Sequence, residues 1–218
     1  MFSKEKMLDY LFVVQFICTL GFGGSQFAKM LTTSQGVSIS WFSTWLVFLV
    51  LNLWLAVRAH RNQPSRLTRQ TIASYITWII MVMLDLGAML GKGTGTWNAR
   101  DNYTIVVSAF GIVSTLAVAR KMRLPVVNNT DPMVKGLLAV SFKAFPQLIM
   151  AFNMFMMGGS GLSAWAVWLG HATVWSRIIQ LWFSMKEAGW DRNRVWSFVS
   201  ESANEASWMV VTAIWLAR

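Results

Sequence analysis

Three long apolar spans begin this chain and three more end it at an offset of about 125 residues, with one extra span between the two sets. The first three read as Leu8–Leu31, Val37–Val57 and Gln70–Leu90, the middle one as Tyr103–Ala119, and the last three as Val134–Met157, Leu162–Phe183 and Val195–Leu216. At about 1.5 Å of rise per residue, each is long enough, as a helix, to cross a hydrocarbon layer about 30 Å thick. In Thr44–Val57 and Trp78–Leu84 the apolar residues go round the helix instead of forming one stripe, which argues against a soluble bundle. The expectation is an all-α polytopic membrane protein, with seven transmembrane helices arranged as two parallel three-helix repeats (8–90 and 134–216) joined by a linker helix (103–119). The polar connectors are short, so the whole chain, 1–218, reads as a single membrane domain.

Composition fits that frame. Hydrophobic residues make up 55% of the 218 and charged residues 13%, so most of the surface has to face lipid. The net charge of +10 does not mark a nucleic-acid binder, because the basic residues lie in connectors without interleaved aromatics. They sort by face. Lys4, Lys6, Arg58, Arg61, Arg66, Arg69, Arg120, Lys121, Arg123, Lys135, Lys186, Arg192 and Arg194 fall on one side, and mainly Lys29, Lys92, Arg100 and Arg218 on the other. The positive-inside rule then puts the N-terminus in the cytoplasm and the C-terminus outside. Trp41, Trp97, Trp190 and Trp196 sit near span ends, where indoles anchor at headgroup level.

Cys18 is the single cysteine, so no internal disulfide is expected, and two histidines, His60 and His171, are too few for a histidine metal site. The methionines Met154, Met156 and Met157 read as packing, not as copper ligands. No cofactor is expected. Gly91-Lys92-Gly93-Thr94-Gly95 lacks phosphate-loop spacing and reads as a connector. The triplets at Asn102–Thr104 and Asn128–Thr130 match the glycosylation pattern, and coincidence is the better reading of both.

Landmarks recur at the repeat offset: Gly36 with Gly161, Ser38 with Ser163, and Arg69 with Arg194. Gln26 and Gln147 also correspond, displaced by about one helical turn. A single linking span between two sets of three restores direction, so the repeats are parallel.

Phe145-Pro146-Gln147 inside a span, followed by Gly159-Ser160-Gly161-Leu162-Ser163, resembles the signature of the PQ-loop superfamily, which includes the SWEET sugar carriers and lysosomal amino-acid exporters. The first half offers Ser25-Gln26 and Ser34-Gln35-Gly36-Val37-Ser38, with Ser25 where the pattern has proline. The bacterial nicotinamide riboside carriers share the seven-helix layout. The resemblance implies that Gln26 and Gln147 hold a kinked backbone beside a central cavity, and that Asn204 contacts solute.

Ser197, Glu201, Asn204, Glu205, Trp208 and Thr212 share one broad face of the last span, a face unsuited to lipid. Glu205 lies near the middle of that span and Glu201 nearer its start, while Asp85 lies about six residues from the end of the third span, facing either the pathway or an outer vestibule. The reading for these acids is proton or ion coupling, with a structural ion pair as the alternative. Lys143 and Arg177 are the candidate charge partners. Pro146, Gly23 and Gly24 are candidate hinges, since proline removes a helical hydrogen bond and glycine loosens the backbone. Trp78 and Trp208 read either as stacking on a flat or sugar-like solute or, the commoner fate of tryptophan in a span, as facing lipid. The function expected is a transporter moving a small polar solute, a sugar or an amino acid, by alternating access and with proton linkage. The alternative is a seven-helix receptor or sorting protein. An enzyme is not expected, because no nucleophile and base stand at helical spacing.

Overall fold

The computed structural model describes residues 4–62, 64–126 and 130–218; the Asn128 triplet therefore falls largely outside the described residues. Among the described residues seven helices account for the architecture: α1 (Lys4–Met30), α2 (Ile39–Asn62), α3 (Arg66–Gly91), α4 (Ala99–Lys121), α5 (Pro132–Met157), α6 (Ala164–Ala188) and α7 (Arg192–Leu216). No strand occurs among the described residues.

The helix starts are set by polar caps just outside the apolar runs. Ser65 and Thr68 close a reciprocal capping box on α3, and Asn98 and Asp101 do the same on α4, so both helices begin four residues before the apolar pattern does. Ser163 caps α6, and its counterpart Ser38 accepts from the Trp41 N–H at the head of α2. The repeat offset thus joins two serines with the same local task. Gly36, Gly158 and Gly189 all have φ between +82° and +90°, where a side chain would be strained.

Five of the helices are long and apolar enough to cross a bilayer: α1 within Asp9–Met30, α2, α3 within Thr68–Gly91, α4 and α5. α6 and α7 have comparable lengths but carry His171, Arg177, Gln180, Glu201, Asn204 and Glu205, which lower their hydropathy. Outward faces are apolar on every helix, as at Ile17, Trp54, Ile80, Phe110, Phe152, Trp175 and Met209. So much exposed apolar surface, spread over all seven helices, is what a membrane protein presents to lipid and a soluble monomer avoids.

The packing order is a closed ring. α1 packs on α3, α3 on α2, α2 on α5, α5 on α7, α7 on α6, and α6 returns to α1. In each set of three, the third helix sits between the first and the second. α4 lies outside the ring against α5 and α2. Gly111 allows its approach to α5, since a Cβ there would fall 2.6 Å from Ser141 Oγ and 2.8 Å from the Phe145 ring.

With Cys18→Ala as background, a nitroxide attached at Phe110→Cys or Val113→Cys on the outer face of α4 is expected to collide more with dissolved oxygen than with a water-soluble nickel chelate in bilayers. A label at Lys92→Cys in the α3–α4 connector should show the reverse order. Equal nickel accessibility at all three positions would remove lipid from the outer face.

Candidate functional site: a cavity inside the helix ring

A cavity of about 490 Å³ occupies the ring, lined by all six ring helices and by no residue of α4. Its mouth is on the face where α3 and α7 begin and α6 ends, marked by Gln70, Thr71, Ser184, Asn193 and Arg194. Its floor is aromatic. Phe22 and Trp78 approach to 5.3 Å between ring centroids, Trp45 and Trp78 to 4.9 Å, Trp41 and Trp45 to 5.5 Å, and Trp41 stacks on Trp208 at 6.0 Å. Trp208 Nε1 donates to Val167 O at 3.2 Å, and the room for its ring comes from Gly170, where a Cβ would stand 2.8 Å from that nitrogen.

The two halves contribute unequally to this space. At the offset of 125 that joins Ser38 to Ser163, Trp41, Phe42, Trp45 and Phe48 of α2 correspond to Ala166, Val167, Gly170 and Thr173 of α6. Bulk on one wall faces small residues on the other. Further along the same pair, Asn52 corresponds to Arg177; Asn52 Nδ2 donates to its own helix at Phe48 O, while Arg177 lines the cavity.

The polar walls are organised by side-chain pairs. Lys143 Nζ donates to both oxygens of Glu201, at 3.2 and 3.0 Å, joining α5 to α7. One of the two expected charge partners is therefore joined to one of the acids. Among the described residues Arg177 is paired with no acid: it donates to Gln180 Oε1 at 3.2 Å. Gln147 Nε2 donates to Asn204 Oδ1 at 3.1 Å, and Gln147 Oε1 accepts from Ser207, so the glutamine expected beside the cavity and the asparagine expected at the solute are bonded to each other at the cavity wall. Trp78 and Trp208 both lie in the floor.

Glu205 stands elsewhere. Its carboxylate is buried between α6 and α7, with Oε1 at 2.6 Å from His171 Nδ1, and His171 Nε2 lies 2.8 Å from Thr212 Oγ1. The face of α7 read from the sequence thus divides into two edges. Ser197, Glu201, Asn204 and Trp208 line the cavity, whereas Glu205 and Thr212 turn to α6. His171, set aside in the sequence because two histidines make no metal site, is the partner of Glu205. Its signal was a lone imidazole inside an apolar span, where a polar group needs company. Hydroxyl, imidazole and carboxylate in this order are able to pass a proton, and they have the order of a nucleophile, base and orienting acid. None of the three lines the ring cavity or the smaller cleft at its opposite end.

Asp85 is 0% exposed on α3, and neither carboxylate oxygen has a hydrogen-bond partner among the described residues. It lines neither this cavity nor the smaller cleft at the opposite end. Pro146 sits within a continuous α5, and α1 runs unbroken through Gly23 and Gly24. A Cβ at Gly23 would meet Met81 of α3 at 2.4 Å, whereas Gly24 has open space beside it.

The end opposite the mouth is shut by the two corresponding loops. Gln26 Nε2 donates to Gly161 O at 2.9 Å, and Gln26 Oε1 accepts from Ser163 N at 3.0 Å, so one glutamine of the first half satisfies the loop of the second. Gly161 N donates to Gln35 O at 2.9 Å, Ser160 Oγ donates to Gln35 Oε1 at 2.7 Å, and Gln35 Nε2 donates to Met157 O. The contact is tight enough to need glycine, because a Cβ on Gly36 would come within 2.1 Å of Gly158 O and one on Gly161 within 2.5 Å of the Ser34 backbone. Gln147 makes no matching reach to the first loop. There Asp101 of α4 accepts from Ser38 Oγ at 2.5 Å, Ser40 N at 3.0 Å and Ser40 Oγ at 2.7 Å.

No protein-family model, curated protein or solved structure matches this chain.

Removing Lys143 leaves Glu201 half-buried beside an aromatic-floored cavity without the cation that holds both its oxygens. Lys143→Met is expected to lower stability by about 1–3 kcal/mol, the cost of an orphaned charged group. Pairing it with Glu201→Gln should recover most of that loss, and thermal unfolding of the detergent-purified variants reads both.

Proposed function

We propose that the protein is a membrane transporter that moves a small polar solute by alternating access, with the two sets of three helices acting as parallel repeats around the cavity. The observation that carries this reading is a six-helix ring enclosing a solute-sized cavity that opens at one end and is shut at the other by two corresponding loops. Cavities of about 300–1,000 Å³ suit small-molecule ligands, and a site between repeats is where carriers of this general build hold their cargo. All seven helices cross the bilayer in this reading, α6 and α7 tolerating their polar residues because these face the ring and its partners. The excess of Lys and Arg on the mouth side supports a cytoplasmic N-terminus, with the cavity open to the cytoplasm. The sequence resemblance to the PQ-loop superfamily supports the same class. A receptor that binds without release would need the closed end to stay shut, which makes the loop contact the place to test.

In Cys18→Ala protein carrying Gln35→Cys and Ser160→Cys, a disulfide or a short bis-maleimide bridge should arrest solute flux into liposomes, with reduction restoring flux in the disulfide case. Flux that continues undiminished in fully bridged protein would contradict alternating access through this end.

The His171–Glu205 pair is the proposed proton-responsive group. It lies one helix face away from the cavity and joins two helices whose relative movement would make or break it. Glu205→Gln keeps a hydrogen-bonding group but no charge, and it is expected to change the pH profile of flux while leaving the thermal transition within a few degrees of wild type. A profile unchanged at every pH would remove Glu205 from coupling.

A further inference from the structure

Resting on the transport reading, we propose that the solute is an amphipathic organic anion, whose carboxylate or phosphate is bound by Arg177 while its apolar or aromatic body stacks on the tryptophan floor. Charge in the cavity is unevenly matched. Among the described residues three cations line it, Lys143, Arg177 and Arg194, against one acid, Glu201. Lys143 holds both oxygens of that acid, and Arg194 pairs with Asp191 and donates to Gly189 O at 3.2 Å. Arg177 is left with an uncharged amide.

Its position makes that imbalance costly. Arg177 is the fourteenth of the 25 residues of α6, at the middle of the helix and so near the bilayer midplane. A guanidinium at that depth is expensive without a counter-charge, and intramembrane charges without partners mark solute pathways. Its planar fork of donors matches the paired oxygens of a carboxylate or phosphate better than an ammonium does. No residue of the first half repeats this charge, because the corresponding position is Asn52.

The floor defines the other end of the ligand. Trp45 and Trp78 present indole surface to the cavity within a close-packed aromatic cluster, and such surfaces favour flat apolar groups. A neutral sugar would leave Arg177 without a counter-ion. A zwitterionic amino acid would bring an ammonium for which the cavity's one acid is already engaged. An anion with a ring satisfies both ends at once.

The test uses the full chain in detergent, with 3-phenylpropionate and phenyl phosphate as anionic probes and 3-phenylpropanamide as the neutral control, read by tryptophan fluorescence and thermal shift. The two anions separate carboxylate from phosphate recognition. At least one should bind saturably, at least tenfold tighter than the amide, and added salt should weaken it. Arg177→Gln should reduce that binding at least tenfold, and Arg177→Lys, which keeps the charge and loses the fork, should lie between. Should Arg177→Gln fail to fold, Trp78→Ala provides the second arm, with binding of the same anion reduced and its salt dependence retained. Equal binding of amide and anion, anion binding unchanged in Arg177→Gln, or no binding by either anion would overturn the proposal. Flux in liposomes separates the two readings: anion binding without flux keeps this site and sinks transport, whereas flux of a neutral solute unaffected by Arg177→Gln keeps transport and sinks the anion.

Discussion

Helices with apolar outer faces leave a long polar or charged side chain few places to go except toward another helix. Backbone groups are satisfied within each helix, as a lipid surrounding requires. Side chains then decide which helices meet. Lys143 with Glu201 and Gln147 with Asn204 tie α5 to α7, His171 with Glu205 and Thr212 ties α6 to α7, and Gln26 ties α1 to the loop before α6. The ring is closed by these contacts together with tight glycine approaches, and the cavity is the space that the ring leaves.

Within that space the two sets of three helices differ in bulk and in charge. α2 fills its wall with Trp41, Trp45 and Phe48, and α6 clears the facing volume with Gly170 and Thr173. An evenly filled ring would have had either no room or no floor. The same difference leaves Arg177 on the cleared side, lining the cavity.

Much of this architecture is legible in the amino-acid order, because a long apolar run and its polar caps are local properties. The offset that pairs Ser38 with Ser163 holds as two helix caps, and α3 and α4 start earlier than the apolar pattern only because Ser65 and Asn98 cap them from outside it. Lys143 as a partner for an acid was also legible, since a charge inside a span has few alternatives. What periodicity does not carry is which helix stands beside which. His171 and Glu205 are 34 residues apart on different helices, and nothing local marks them as a pair. For the same reason a single broad polar face on α7 conceals the division between its cavity edge and its α6 edge. Asp85 shows the remaining gap: its depth along α3 follows from counting residues, but its isolation from every described partner does not.

α4 contributes nothing to the cavity wall, yet it changes how the ring is bounded. It is clamped to α2 through Asp101 and to α5 through Gly111, so it covers the line along which those two helices meet. The equivalent line between α1 and α6 has no eighth helix behind it. In a bilayer, acyl chains would therefore touch one seam directly and be screened from the other by protein. Lipid thickness and tail packing would bear on a single side of the ring, and a hydrophobic molecule wedged from the membrane would have one line of entry between the two sets of three helices.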